Sequence, residues 1–129
     1  MAIANARPDL IAHQKVVRMK ATEVAQHSVE LLGGRLAAYV AGVSETRAVR
    51  QWAEGDRDMR PDSEARLREA LTVAITLATT DSTGIVQAWF QGLNPQLDDR
   101  SPAWLLREGN IEKVGPEVRQ AARAFVTGG

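Results

Sequence analysis

The sequence predicts an all-α fold, and three observations support that prediction. Apolar residues recur at the spacing that places them on one face of a helix, nearly throughout the 129-residue chain. Strict alternation of apolar and polar residues, the pattern of a half-buried strand, is rare, and β-branched residues do not cluster between turns. Glycine, proline and capping residues interrupt the pattern where helices are expected to begin and end. A chain of this length predicts one compact domain, or two small units that share a core.

These starting and ending signals divide the chain into seven predicted helical segments. The segments span residues 9–32, 35–41, 45–54, 61–78, 84–90, 102–108 and about 116–126. The residues placed to start them are Asp9, Ser44, Pro61, one of Asp81, Ser82 and Thr83, and Ser101 followed by Pro102. Glycines 33, 42, 55, 92 and 109 are placed to end them. The pattern leaves open whether residues 9–32 form one helix or two.

The segment that begins at Pro61 is the longest and is apolar over more than one face. Its stripe consists of Leu67, Ala70, Leu71, Ala74, Ile75 and Ala78. Val73 and Leu77 widen the apolar arc, which predicts a deeply buried central helix. Because that arc exceeds what one helical layer covers, and because DNA-reading helix pairs commonly dimerise, the sequence also predicts a homodimer.

Residues 36–52 have the features of a helix-turn-helix. Ala38 is small enough for the second helix to cross closely, Gly42 tolerates a left-handed turn, and Val43 is placed to fill the crossing. In this motif the N-terminal end of the second helix enters the DNA major groove. The candidate DNA-contacting residues are therefore Thr46, Arg47, Arg50, Gln51, Arg57 and Arg60.

Two observations limit how strongly this segment is expected to bind DNA. The usual spacing places an apolar anchor at position 51, where the chain has Gln51 and only then Trp52, so a one-residue insertion is predicted before the second helix. Residues 35–71 contain seven Arg and seven acidic residues, whereas non-specific DNA affinity comes from neutralised phosphates. Weak or strictly sequence-specific binding is therefore expected. The alternative is a helix pair that only packs, with its arginines solvated.

Composition excludes several kinds of site. With no cysteine, the chain has no disulfide, no thiolate nucleophile and no cysteine-ligated metal. The two histidines, His13 and His27, offer little for a catalytic triad or a histidine-rich metal site. No catalytic residue, metal or cofactor is therefore predicted, and the protein is expected to act by binding rather than as an enzyme. Since no apolar run approaches the ~20 residues of a membrane span and the N-terminus lacks a secretory pattern, a cytoplasmic protein without membrane contact is expected.

The stretch from Ala88 to Gly109 is the most informative part of the sequence. It contains a helix end, a rigid Asn94-Pro95 turn and a short capped helix. Its expected core anchors are Trp89, Phe90, Leu97, Trp104 and Leu105. The last helix is expected to bury Val118, Ala121, Ala122 and Phe125.

In order and spacing, this stretch resembles the C-terminal domain of the Xre/MbcA/ParS-like antitoxins. The matching residues are Trp89, Asn94-Pro95, Leu97, Ser101-Pro102, Leu105-Leu106, Gly109 and Ala121-Ala122. With the helix-turn-helix, the resemblance spans residues 30–129. It implies an all-α protein with an Xre-like helix-turn-helix followed by a small helical toxin-binding domain. The corresponding regions are an N-terminal arm or helix at 1–20, the helix-turn-helix region at 21–80 and the toxin-binding domain at 81–129.

The resemblance also implies a function as a type II antitoxin. It implies a cognate toxin as partner, most commonly a RES-domain toxin that degrades NAD, and repression of its own operon through operator DNA. The antitoxin's C-terminal region would cover the entrance to the toxin's active site. The implied toxin contacts are Asn94, Pro95, Asp98, Asp99, Arg100, Arg119, Arg123, Phe125, Val126, Thr127, Gly128 and Gly129. The alternative is a helix-turn-helix transcriptional regulator without a toxin partner, in which the C-terminal half serves only dimerisation.

Overall fold

The structure, a computed structural model, describes residues 7–128, and this part of the chain forms eight α-helices. They are α1 (Pro8–Val17), α2 (Ala21–Leu32), α3 (Gly34–Ala41), α4 (Thr46–Glu54), α5 (Pro61–Ala78), α6 (Thr83–Gln91), α7 (Pro102–Glu108) and α8 (Ile111–Val126). A 3-10 turn at Pro95–Leu97 precedes α7. Within residues 7–128 no β-strand is present, and an isolated bridge joins Asn94 to Arg100. The all-α prediction is confirmed.

Helix α5 lies at the centre of the fold, as predicted. It contacts α1, α2, α3, α6, α7 and α8. The side chains of Leu67, Leu71 and Leu77 are fully buried, and so is Val73, which widens the apolar arc. Helices of the same chain cover most of that arc, with Ile75 half-buried and Ala78, which was predicted in the stripe, exposed. The uncovered part is too small to call for a second copy. The homodimer therefore stays a prediction that rests only on the tendency of helix-turn-helix proteins to dimerise.

The N-terminal segment forms two helices, which settles the alternative that the pattern left open. The link between α1 and α2 is held by Arg68 of α5, whose guanidinium donates to the carbonyls of Val16 and Met19 at 2.7 and 2.9 Å. The predicted capping role of Asp9 is wrong, because Arg7 is the N-cap and Asp9 lies inside the first turn. Asp9 is buried there and accepts a 2.6 Å hydrogen bond from Arg7. A carboxylate in the first turn also suits the helix dipole.

Helices α3 and α4 pack against each other across a short left-handed turn. Gly42 has φ +83°, and the Val43 N–H donates back to the Ala38 carbonyl at 3.0 Å, which closes α3. The predicted cap at Ser44 is wrong: Glu45 is the N-cap, so α4 begins one residue later. Trp52 reaches the core with 2% of its surface exposed.

In the C-terminal half, the predicted cap at Ser101 is confirmed, Ser82 is the cap among three candidates, and one helix start is wrong. The hydroxyls of Ser82 and Ser101 accept from backbone N–H groups at the starts of α6 and α7. Helix α8 begins at Ile111 rather than near Pro116, because the Asn110 side chain caps it by accepting from the Glu112 N–H at 3.0 Å. Pro116 lies inside this helix, where it has no N–H for the Glu112 carbonyl and its ring crowds that carbonyl. Burial of Val114, Val118 and Ala122 offsets this cost, so the helix continues through the proline.

The corner between α7 and α8 depends on Gly109. A Cβ at this position would lie 2.6 Å from Val114 Cγ1 and 2.8 Å from the Leu105 carbonyl oxygen. Any side chain would therefore push α8 away from the end of α7. The glycine is required by this close approach and not by its backbone angles, which are extended.

Two aromatic residues that were expected in the core lie partly at the surface. Trp104 is 44% exposed and Phe125 is 43% exposed, so both predictions of burial are wrong. The expected anchors Phe90, Leu97 and Leu105 are buried, and Trp89 is half-buried. Helical spacing places Trp104 one position away from the buried side of α7, which Leu105 and its neighbours occupy.

None of the helices described between residues 7 and 128 has both the length and the apolar character of a membrane span.

Candidate functional site

An apolar groove lies between α6, the segment that follows it and the end of α8; we call it the C-terminal groove. Its volume is about 350 Å³, and it is lined by Ala88, Trp89, Gly92, Leu93, Asn94, Pro95, Gln96, Ala121 and Phe125. The ring centroids of Trp89 and Phe125 are 6.4 Å apart, so the two aromatics form one wall. Leu93 is 75% exposed at its edge. The groove brings three of the predicted toxin contacts together: Asn94, Pro95 and Phe125.

Residues 94–100 form a compact loop organised by Asn94. The Asn94 side-chain oxygen accepts from the Gln96 N–H at 2.9 Å, and its carbonyl accepts from the N–H groups of Leu97 and Asp99. Its own N–H donates to the Arg100 carbonyl at 3.1 Å, which closes the loop. The Asn-Pro pair recognised in the sequence is therefore the structural centre of this loop.

Asp98 and Asp99 occupy the left-handed region, with φ of +56° and +60°. Side chains other than glycine rarely adopt this conformation, which costs about 1–2 kcal/mol per residue. Aspartate tolerates it better than most residues because its short side chain can hydrogen-bond locally. The turn holds both carboxylates at the exposed tip of the loop, beside the exposed Arg100.

The two arginines of α8 lie on other sides of the helix from the C-terminal groove lining. Arg119 Nε lies 2.8 Å from Glu69 Oε2 of α5 in a largely buried ion pair. Arg123 lies near Asp9 of α1, where its charge, after the hydrogen bond from Arg7, helps hold the pKa of that carboxyl below its ordinary value. Arg119 is thus engaged in holding α8 against α5, whereas Arg123 acts on Asp9 only through its charge.

The end of α8 closes on itself. The Thr127 hydroxyl donates to the Arg123 carbonyl at 3.0 Å, and Gly128 has φ +76° with its N–H directed to the Phe125 carbonyl at 3.2 Å. Val126 packs against the core. Gly129, the last predicted toxin contact, lies outside the described residues.

A second surface surrounds the start of α4. Thr46, Arg47 and Arg50 are exposed on one side of this helix, and Ala48, Val49 and Trp52 are buried on the other. Arg57 donates to the Gln51 side-chain oxygen at 3.4 Å, a long hydrogen bond. Arg60 is exposed at the N-cap of α5.

Some of these residues converge on a cleft of about 570 Å³, which we call the α4 cleft. It is lined by Gly42, Val43, Ser44, Glu45, Arg47, Ala48, Gln51, Arg57 and Arg107. The structure thus brings together Arg47, Gln51 and Arg57 of the predicted DNA contacts. Thr46, Arg50 and Arg60 do not line the cleft.

Sequence reasoning missed Leu93 and Arg107. Leu93 precedes the recognised Asn-Pro pair, and an isolated leucine in a loop carries no signal of its exposure. Arg107 lies more than 50 residues away from the helix-turn-helix segment in the chain, so only tertiary packing brings it to the α4 cleft.

Among residues 7–128, no group of three or more histidine or acidic side chains is arranged to hold a metal ion. The cavities described above are lined by groups suited to macromolecular contacts.

Comparison with curated proteins gives a match over most of the chain. The chain is 34% identical over 91 residues to the probable mycobacterial cidal antitoxin Rv3188 of Mycobacterium tuberculosis (strain ATCC 25618 / H37Rv). The match covers 70% of this chain and 73% of that protein. This chain belongs to the family of that mycobacterial cidal antitoxin.

Solved structures support the same fold for this antitoxin family member. The chain superimposes with a TM-score of 0.68 on a chain of the crystal structure of the M. tuberculosis MbcT-MbcA toxin-antitoxin complex, covering 83% of this chain and 94% of that one. At 24% identity, this likeness establishes the all-helical fold. No protein-family model matches the chain. The wider Xre/ParS-like assignment and the helix-turn-helix interpretation stay predictions.

Proposed function

We propose that this protein is the antitoxin of a type II toxin–antitoxin system and that it binds and inhibits a RES-domain toxin that degrades NAD. Its membership of the mycobacterial cidal antitoxin family supports the antitoxin role. The resemblance of residues 88–109 to antitoxins paired with RES-domain toxins supports the class of toxin. The single observation that carries the binding mode is the C-terminal groove, with its exposed apolar rim.

Three features make the groove suited to a protein partner. Leu93 and Phe125 are large apolar side chains left 75% and 43% exposed, and Trp89 forms the wall behind them. Aromatic side chains in partly formed pockets supply most of the binding energy at protein interfaces. The adjoining loop carries Asp98, Asp99 and Arg100 at its exposed tip, where charged groups give orientation and specificity.

In the proposed mode, the groove and the end of α8 lie over the toxin's active-site entrance. Phe125, Val126, Thr127, Gly128 and Gly129 would reach furthest toward the cleft. Gly128 and Gly129 have no side chain that would obstruct a narrow entrance. Arg119 would contribute less than the groove and Arg123, because its charge is already paired with Glu69.

The experiment combines the antitoxin with the toxin encoded by the adjacent reading frame. Phe125→Ser is expected to weaken co-purification of the toxin and to leave cellular NAD depleted when both proteins are expressed. Loss of a central aromatic anchor typically weakens binding by 2 kcal/mol or more, about 30-fold. Because Phe125 is 43% exposed, the substitution should leave the fold intact, which circular dichroism checks.

Ile85→Ser is the matched control. Ile85 is 46% exposed on α6 but does not line the groove, so its removal should leave toxin binding unchanged. Equal binding by the Phe125 and Ile85 variants would remove the groove from the interface. If the protein neutralises the adjacent toxin but the toxin does not alter the cellular NAD concentration, the RES assignment is wrong and the antitoxin role is retained.

A second function, binding of operator DNA, is favoured by the surface around α4. Thr46, Arg47 and Arg50 project from the first turns of a helix that follows a left-handed turn at Gly42. This arrangement presents the N-terminal part of the helix in the way that a recognition helix approaches the major groove. We therefore propose that the antitoxin also represses its own operon.

A further inference from the structure

The α4 cleft gathers positive charge from three separate parts of the chain. Arg47 lies on α4, Arg57 on the loop that follows it, and Arg107 near the end of α7. Glu45 is the single acidic residue of the lining, so the lining has a formal excess of two positive charges. Residues 35–71 are neutral by count, and Arg107, which joins the cleft from the other half of the chain, raises the excess in the lining from one positive charge to two.

Arg107 is held in place by contacts with α3. Its Nη1 donates to the Tyr39 carbonyl at 2.6 Å, and its guanidinium carbon lies 4.7 Å from the centroid of the Tyr39 ring. A cation at the C-terminal end of α3 also suits the dipole of that helix. Glu108 lies 3.3 Å from its Nε at the surface, where an exposed ion pair contributes little. The side chain is 28% exposed, so the guanidinium is fixed and still accessible.

The geometry fits an anion with several oxygens. The contacts of Arg107 with Tyr39 and Glu108 use Nη1 and Nε, which leaves Nη2 for an anion, and guanidinium N–H groups pair well with phosphate oxygens. Arg47, Arg57 and the Gly42–Glu45 turn line the same cleft. Contacts to DNA phosphates typically flank the recognition helix in this way and fix its register.

We propose that Arg107, contributed by the C-terminal half, contacts a backbone phosphate of bound DNA in the α4 cleft together with Arg57. This inference rests on the proposed DNA binding. It means that α7, which belongs to the predicted toxin-binding domain at residues 81–129, also contributes directly to DNA affinity. It also explains how a chain of zero net charge gains local attraction for a polyanion.

The test measures DNA affinity against salt concentration for the full-length protein. Two duplexes of equal length serve as probes: the region upstream of the protein's own reading frame, and a random sequence. Arg107→Gln is expected to weaken binding to both by a similar factor and to reduce the slope of log K against log salt by about 1. Arg107→Lys, which keeps the charge, should retain most of the slope. Arg57→Gln should reproduce the loss without touching the contact between α7 and α3.

Lys15→Gln is the control for the loss of one positive charge, because Lys15 is exposed on α1 and does not line the cleft. If the slope of log K against log salt is the same for the Arg107→Gln and Lys15→Gln variants, the proposed phosphate contact is wrong, although the protein still binds DNA. If the wild-type protein binds neither duplex at low salt, the proposed DNA binding is wrong. The proposed phosphate contact of Arg107 is then wrong as well. The Nε–H resonance of Arg107 in the wild-type protein gives a readout that needs no variant: it should shift on addition of duplex, and an unchanged resonance counts against the contact.

Discussion

At the scale of single residues, Glu69 of α5 and Arg119 of α8 form a largely buried ion pair between two helices. The Glu69 side chain is 17% exposed, and Oε2 lies 2.8 Å from Arg119 Nε. Gly115 on α8 makes room for the carboxylate, because a Cβ there would lie 2.7 Å from Glu69 Oε1. Burial raises the pKa of Glu69 above its ordinary value, while the positive charges of Arg119 and His13 lower it.

This pKa gives stability a predictable dependence on pH. The folded protein binds the Glu69 proton more tightly than the unfolded chain, so this group lowers the free energy of unfolding as pH rises from the ordinary glutamate range through the raised value. Arg119→Met removes the cation that opposes burial, so the pKa of Glu69 should rise further. The loss of stability should then extend to higher pH. Urea unfolding at a series of pH values measures the free energy of unfolding, and NMR of the Glu69 carboxyl carbon follows the titration of this group directly.

Glu69→Gln is the control, because it cannot titrate and should remove this part of the pH dependence. If the Arg119→Met and wild-type stability curves run parallel across the mildly acidic range, the ion pair does not govern the Glu69 pKa.

At the scale of elements, the loop at residues 94–100 is stabilised from a single position. Asn94 supplies the acceptors for three backbone N–H groups and the donor that closes the loop on Arg100. These bonds offset the cost of placing Asp98 and Asp99 in the left-handed region. The Asn-Pro pair therefore determines the shape of the surface that we propose for toxin binding.

Asn94→Ala tests this role. The substitution leaves the Gln96 N–H without its side-chain acceptor, which should lower the free energy of unfolding by about 1 kcal/mol and increase amide hydrogen exchange across the loop. Asn94→Asp keeps an acceptor oxygen in the same place and should keep most of the stability. Equal destabilisation by both variants would show that another property of Asn94 matters.

At the scale of the whole molecule, one core supports two surfaces. Buried side chains from α1 to α8 form a single cluster, and α5 contacts helices on both sides of the predicted boundary at residue 80. The C-terminal groove and the α4 cleft share no lining residue. The two proposed activities should therefore be separable by surface substitutions. Deleting residues 119–129 cannot separate them, because it would remove Ala121 and Ala122 from the core.

Arg47→Ala combined with Arg50→Ala should abolish operator binding and leave toxin neutralisation intact. Both side chains are exposed on α4, so their loss removes positive charge from the proposed DNA surface without opening the core. Electrophoretic mobility shift with the upstream duplex and growth rescue during toxin expression measure the two activities. Loss of growth rescue in this double variant would place α4 in the toxin interface, contrary to the proposal.

Most helix boundaries could be predicted from the sequence, because the signals that start and end a helix are local. Ser101, Gly42 and Gly55 act through backbone groups within a few residues and were predicted in place, and Ser82 is the cap among the three candidates that the pattern left open. The start of α8 was misplaced because two local signals competed, and the cap at Asn110 prevailed over Pro116. The Asn-Pro loop was recognised for the same reason, since its hydrogen bonds stay within residues 94–100.

Which apolar side chains remain at the surface depends on how the helices pack, and local patterns do not predict it. Trp104 and Phe125 are residue types usually found in the core. Their exposure depends on the orientation in which α7 and α8 pack against helices that are distant in the chain. The charge of the α4 cleft likewise depends in part on Arg107. The packing of α7 on α3 places this residue beside a segment, residues 35–71, whose own charges cancel. Helical periodicity gives the direction of a side chain relative to its own helix, whereas exposure and convergence depend on contacts between residues far apart in the chain.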